Sequence, residues 1–114
     1  MPQDTPLDAP VPLAPLIDHT ALNAETTGEE IDGLCREAEE HAFAAVCVNP
    51  VWVERAARRL RGTGIPVATV AGFPLGASTP EAKAAEAERA LADGAREIDM
   101  VASIGAAREG RWDE

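Results

Sequence analysis

Lysine and long apolar runs are scarce in this sequence. Lys83 is the single lysine, and 20 acidic residues outnumber the 10 basic ones, which gives a formal net charge of -10. A chain this acidic has little with which to neutralise phosphate groups, so the composition argues against nucleic acid or an anionic membrane as a partner. The apolar runs are far shorter than the roughly 18 residues that span a bilayer.

The amino terminus lacks the basic region and apolar run of a secretory signal peptide. Its first 16 residues, MPQDTPLDAPVPLAPL, contain prolines and acids instead. Residues 1–13 are proline-rich and without periodicity, so we expect a loosely ordered lead-in there and one small domain over residues 14–114. A reducing cytoplasm is the expected location.

Cysteine is also rare, with only Cys35 and Cys47 in the chain. No CxxC or Cys/His spacing is present, so the sequence predicts no metal site. Cys35 falls on an apolar helical stripe and Cys47 in an apolar strand, which favours two buried thiols over a disulfide. The absence of GxGxxG and Walker motifs argues against a dinucleotide or Walker-type site, and no cofactor is expected.

What the sequence does contain is a strict alternation of strand and helix patterns. Apolar strands begin near residues 16, 43, 66 and 96. Between them, a capping box at Thr27 and Glu30 predicts a first helix over about 28–41. Asn49-Pro50 predicts the cap and the start of a second helix, and Thr79 predicts the start of a third. The order β-α-β-α-β-α-β predicts a parallel sheet, and the spacing fits about half of a TIM (β/α)8 barrel.

The fourth strand, Glu97-Ile98-Asp99-Met100-Val101, carries a carboxylate between apolar residues. Counting by two, Asp99 and Val101 share one face, while Ile98 and Met100 share the other and would pack under the helices. Asp99 would then be a buried, inward charge with a chemical use or a cationic partner. The alternative is that Asp99 lies at a strand end and only accepts hydrogen bonds from backbone amides.

Polar and glycine-containing segments follow the predicted strands, namely Asp18 to Thr20, Asn49 and Gly72 to Ser78. In open α/β sheets and in barrels, ligands bind at the carboxyl ends of the strands. Lys83 falls near the start of the third helix, where we expect a solvated or ion-paired side chain. An exposed amine with a pKa near 10.4 is a poor imine former at pH 7.

Four segments in register resemble successive motifs of the deoxyribose-phosphate aldolase family. They are Leu16-Ile17-Asp18-His19-Thr20-Ala21-Leu22, Val46-Cys47-Val48-Asn49-Pro50, Val70-Ala71-Gly72-Phe73-Pro74-Leu75-Gly76 and Glu97-Ile98-Asp99-Met100-Val101. They occur in the family's order and spacing from about residue 16 onward.

The resemblance implies a class I aldolase that cleaves 2-deoxy-D-ribose 5-phosphate reversibly to acetaldehyde and D-glyceraldehyde 3-phosphate. It implies a Schiff-base lysine, which this chain lacks, and no metal. Asp99 would be the proton donor and acceptor, Asp18 a supporting catalytic group, and Thr20 and Cys47 would line the substrate pocket. On this view the 114 residues alone are catalytically incomplete, with a sugar phosphate as the substrate of the complete enzyme.

A second hypothesis is a non-catalytic half-barrel that assembles with a second copy or a complementing chain. Four strands of an unclosed barrel leave two unpaired edges, and such edges recruit partners. Two copies could close one eight-stranded barrel by two-fold symmetry, so we expect a homo-oligomer, with a closing dimer as one form of it.

Overall fold

A computed structural model describes residues 12–113, which contain one sheet of four parallel strands. The strands are β1 (Asp18–Ala21), β2 (Ala45–Val48), β3 (Val67–Ala71) and β4 (Glu97–Met100). They lie side by side in chain order, β1-β2-β3-β4. Asp18 is level with Ala45, the first residue of β2. The predicted partial (β/α)8 architecture is confirmed, whereas the predicted lead-in lies mostly outside the described residues.

Helices connect successive strands, as the parallel order requires. They are α1 (Gly28–His41), α2 (Val53–Arg59), α3 (Pro80–Asp93) and a short α4 (Ile104–Arg108) after the last strand. The capping box predicted for α1 is present, with Thr27 N–H donating to Glu30 Oε1 at 2.7 Å. Thr79 Oγ1 accepts from the Ala82 amide at 3.1 Å and caps α3 as predicted.

The main core lies between the helices and one face of the sheet. Ile31 from α1, Val53 from α2 and Val46 and Val48 from β2 are fully buried there. Burying a side chain of this size stabilises the fold by about 1.5–3 kcal/mol. Cys47 belongs to a separate small cluster with Ala68 and Val70 on the other face of the sheet. No helix of the described residues packs on this face, which is called the open face below.

Two predicted element starts are wrong. Residues Ala14–Leu16 form a 3-10 turn, with Pro15 near its start, so β1 begins at Asp18 instead of near residue 16. Asn49 does not cap a helix through its side chain; its Nδ2 donates to the Leu22 carbonyl at 3.2 Å and joins the ends of β1 and β2. A 3-10 turn over Pro50–Trp52 precedes α2.

The carboxyl-terminal segment contains the short helix α4 after the last strand. Ser103 caps this helix by accepting from the Ala106 amide at 3.3 Å. Ile98 packs against the main core as expected. Met100 shares its face of β4 but is 63% exposed, so the expectation that both pack under helices is wrong for Met100.

Candidate active site

The open face of the sheet brings together the residues that the sequence singled out. Strand alternation places Asp18 and Thr20 of β1 on this face, since Ala21 packs on the helix side. Cys47 of β2 lies there too, and so does Asp99 of β4, because its neighbour Ile98 packs against the helical core. Thr20 Oγ1 donates to the Asp18 carbonyl at 2.8 Å.

Electrostatics show that these groups face one another across the sheet. The carboxylate of Asp18, followed by burial and the carboxylate of Asp99, raises the pKa of Glu97, and a hydrogen bond between the Asp18 and Glu97 carboxyl groups adds to the shift. Asp18 is on the first strand and Glu97 on the fourth. Charges on the first and fourth strands therefore act on one another across the open face.

The same three acids act on the pKa of the Cys47 thiol. Burial and, after it, the charges of Asp99, Asp18 and Glu97 raise the pKa of Cys47 to about 11. Cys47 is only 5% exposed. A protonated, buried thiol is inert as a nucleophile near pH 7, in keeping with the expectation that it lines a pocket.

Asp99 itself is exposed, so the expectation that it is a buried charge is wrong for this structure. Its place on the open face is as expected, but the residues described cover only the helical side of the sheet. The alternative reading of Asp99 as a strand-end group does not hold either, because it is the third of the four residues of β4 and is paired with Val70.

Glu97 is the site residue that the sequence reasoning passed over. It precedes Asp99 by two residues, so the same strand alternation places it on the open face. Counting back along β4 from Asp99 would have found it.

The loop after β3 bounds the carboxyl edge of the sheet. Gly72 and Gly76 adopt positive φ angles of 66° and 68°, which glycine reaches without steric cost, and the Phe73-Pro74 peptide is cis. A Cβ on Gly76 would overlap the carbonyl oxygen of Ala102, so this loop packs tightly on the segment after β4. Phe73 is 43% exposed and, together with Leu75, lines a cavity of about 520 Å³ between the loop and α3.

Lys83 is neither solvated nor ion-paired among the residues described, so the expectation of a solvated or ion-paired side chain is wrong. It is 8% exposed, and a Cβ on Gly72 would come within 2.9 Å of its Cε, so its stem lies over the start of the loop. Glu86, one turn further along α3, accepts from the Gly72 amide at 2.8 Å. No local sequence pattern predicts this contact, because it depends on the left-handed turn at Gly72.

Neither a metal site nor a membrane span is found in the part of the chain that the structure describes. Across residues 12–113, no three His, Cys, Asp or Glu side chains are grouped so as to hold a metal ion. No helix in the same range is long and apolar enough to cross a membrane.

Comparison with known proteins gives the family. The model of the DeoC/LacD family aldolases matches residues 13–114. The deoxyribose-phosphate aldolase of Geobacillus sp. (strain WCH70) is 52% identical over 101 residues, which are 89% of this chain and 45% of that protein. That of Brevibacillus brevis is 57% identical over 94 residues, 82% of this chain and 42% of that protein.

A solved structure agrees with these sequences. The deoxyribose phosphate aldolase from Aeropyrum pernix, described as a unique tetrameric structure, matches with a TM-score of 0.83 at 32% identity, covering 90% of this chain and 45% of that one. The chain spans less than half the length of the curated relatives cited above. With the family model matching from residue 13 onward and the fold agreeing, the chain belongs to the DeoC/LacD family of aldolases.

Proposed function

We propose that this chain is the amino-terminal part of a deoxyribose-phosphate aldolase that cleaves 2-deoxy-D-ribose 5-phosphate reversibly to acetaldehyde and D-glyceraldehyde 3-phosphate in the cytoplasm. One observation carries the proposal. Asp18, Glu97 and Asp99 converge on the open face, and no basic side chain is among the strand residues of that face. A site so rich in negative charge calls for a cation from another segment.

A lysine is the cation that this chemistry requires. Like charges close together raise the free energy of the folded state, whereas an ammonium group among them is stabilised. The aldolase reaction through a Schiff base needs such an amine, and Lys83 does not supply it, because it lies on α3 over the Gly72 turn. We therefore place the Schiff-base lysine in a segment outside these 114 residues.

The reaction assigns work to the carboxylates. The lysine amine adds to the C1 aldehyde, and loss of water from the carbinolamine gives an iminium ion. The C3 hydroxyl then loses its proton as the C2–C3 bond breaks, which releases glyceraldehyde 3-phosphate and leaves an enamine. Protonation of C2 and hydrolysis release acetaldehyde and restore the amine. Each proton transfer needs a positioned acid or base.

Asp99 is the proposed proton donor and acceptor for these transfers, because it lies midway along β4 on the open face. Asp18 supports Asp99 from β1, because the charges of both residues raise the pKa of the same Cys47 thiol. Thr20 and Cys47 line the pocket. Cys47 stays protonated and does not act as a nucleophile.

The test uses the chain alone and a chimera that supplies the missing strands. The chimera joins this chain to the part of the Geobacillus sp. relative that follows its matched residues. We expect the 114 residues alone to show no cleavage of deoxyribose 5-phosphate above background. The chimera should cleave it, and borohydride should trap a substrate adduct on a lysine of the added part.

Variants of the chimera test the individual roles. Asp99→Asn should lower kcat about 100-fold or more, as expected for loss of a general acid or base, and Asp18→Asn should lower it less. Asp93→Asn is the control, because Asp93 lies on α3 and binds Arg89 at 3.0 Å. Turnover by the 114 residues alone, with the adduct on Lys83, would contradict the proposal.

Self-assembly is the second candidate, favoured by the open edges of β1 and β4 and by the tetrameric relative from Aeropyrum pernix. In a dimer that closes one barrel, the acids of two open faces would meet with no basic strand residue between them, which makes this arrangement costly. Sedimentation decides: a folded monomer at micromolar concentration excludes the closing dimer, and a dimer without sugar-phosphate binding supports it over catalysis.

A further inference from the structure

The arginines of the α2 region divide into two groups with different surroundings. Arg55 and Arg59 both bind Asp32 of α1, with Arg55 Nη2 donating at 2.8 Å and Arg59 Nη2 at 2.7 Å to Asp32 Oδ2. These hydrogen bonds hold the pKa of Asp32 well below its usual range. Arg55 and Arg59 are therefore both engaged by α1.

The other group faces away from α1. Arg58 and Arg61 line a cavity of about 620 Å³ between the ends of α2 and α3, and Arg96, just before β4, lines it as well. Within residues 12–113, none of the three side chains forms an ion pair or hydrogen bond. Three arginines without an ion pair among the described residues thus line one cavity in a chain of net charge -10.

Two glycines line the same cavity. Gly62 and Gly64, in the turn between α2 and β3, adopt φ angles of 84° and 80°. Neither N–H group donates a hydrogen bond to another residue of the described chain. A Cβ added at either glycine would meet nothing within 4 Å, so the space beside this turn is open.

The acids that line the cavity offset only part of this charge. Asp93 is held by Arg89 through two hydrogen bonds of 3.0 and 3.2 Å, which leaves Glu54 as the acid of this cavity without a described basic partner. The cavity floor is apolar and includes Leu60, Ile65 and Pro66. It lies at the amino end of β3, whereas the Gly72 loop lies at the carboxyl end.

We infer that this cavity is an anion site that takes a small phosphate compound. Guanidinium groups bind phosphate oxygens through paired hydrogen bonds, and free backbone N–H groups in a turn bind them as well. The volume lies within the usual range for small-molecule sites. Because the cavity is at the opposite end of β3 from the active-site loop, this inference does not depend on the proposed aldolase activity.

The experiment titrates the ¹⁵N-labelled chain with inorganic pyrophosphate at about 0.15 M salt, where distant charges are screened. We expect saturable chemical-shift changes at the amides of Gly62, Gly64 and Arg96. The double variant R61S/R96S should weaken binding at least about tenfold, since it removes two charged hydrogen-bond donors to the phosphate.

The matched control is R36S/R108S, which removes the same charge from two arginines that do not line the cavity. Its affinity should stay within about twofold of the parent. Equal losses in the two double variants, shift changes centred elsewhere, or no saturation by about 10 mM pyrophosphate would each overturn the site. If R61S/R96S loses its dispersed spectrum, the single variants Arg61→Ser and Arg36→Ser make the same comparison.

Discussion

The stem of Lys83 lies over Gly72, so the first turn of α3 covers the residue that directly follows β3. Gly72 has a φ of 66°, and its amide is held by Glu86. Helix α3 therefore fixes the start of the loop that carries Phe73 and Leu75. The Lys83 contact and the Glu86 hydrogen bond thus join helix α3 to the edge of the candidate active site.

Gly72→Ala should destabilise the chain more than Gly62→Ala. Both changes put alanine at a positive φ, which costs about 1–2 kcal/mol, but only the new Cβ at position 72 meets a neighbour, 2.9 Å from Lys83 Cε. We expect a loss of about 2–3 kcal/mol for Gly72→Ala and about 1 kcal/mol for Gly62→Ala in urea unfolding. Equal losses would mean that Lys83 does not press on this turn.

Glu97→Gln should stabilise the chain at pH 7. The folded state raises the pKa of Glu97, chiefly through Asp18, so it holds the proton more tightly than the unfolded state, where the value is near 4.5. Stability therefore falls as pH rises from about 4.5 through the folded pKa. We expect a gain of about 0.5 kcal/mol at pH 7 and a flatter pH dependence above pH 4.5.

The control for this change is Glu88→Gln, which removes the same charge from an exposed position on α3. The change in the free energy of unfolding of Glu88→Gln measures how much a smaller net negative charge stabilises the chain by itself. If both variants gain the same stability at pH 7, then Asp18 and Glu97 do not repel each other in the folded chain.

Asp32→Asn should lower the urea midpoint at pH 7. Arg55 and Arg59 lower the pKa of Asp32 from its usual 3.8, so its contribution is present above about pH 3.8 and is lost as pH falls through the folded pKa. The variant should therefore lose stability at neutral pH and approach the parent in strong acid. Asp93→Asn, which removes a single exposed i,i+4 ion pair, should cost less.

The two thiols should react slowly in the folded chain. Burial is the main cause that raises the pKa of both Cys35 and Cys47 to about 11, compared with 9.0 for an exposed thiol. At pH 8 the thiolate fraction then falls about 100-fold. Labelling of Cys35→Ser and Cys47→Ser with a chromogenic disulfide should be slow until urea unfolds the chain; fast labelling of either in the native state would contradict the burial.

Local signals explain why the sequence predicted most of this fold. The Thr27 and Glu30 capping box acts within one turn of helix, and the apolar strands with helices between them allow few parallel topologies. The predicted place of Asp99 relative to Asp18 and Cys47 follows from that topology. Their catalytic and binding roles stay predictions.

Contacts between distant segments explain what the sequence missed. Asn49 has the sequence context of a helix cap, but a carbonyl 27 residues away accepts its hydrogen bond. Lys83 has the context of an exposed helical lysine, but its stem packs over the glycine turn that follows β3. The exposure of Asp99 and Met100 depends on what covers the sheet beyond β4, which no local pattern encodes.

The two outer strands of the sheet also affect how copies of the chain approach one another. Each leaves one row of backbone N–H and C=O groups without a strand partner among residues 12–113, and such rows join molecules into larger assemblies. Asp18 stands on one of these strands and Asp99 on the other, so ionised acids keep approaching copies apart.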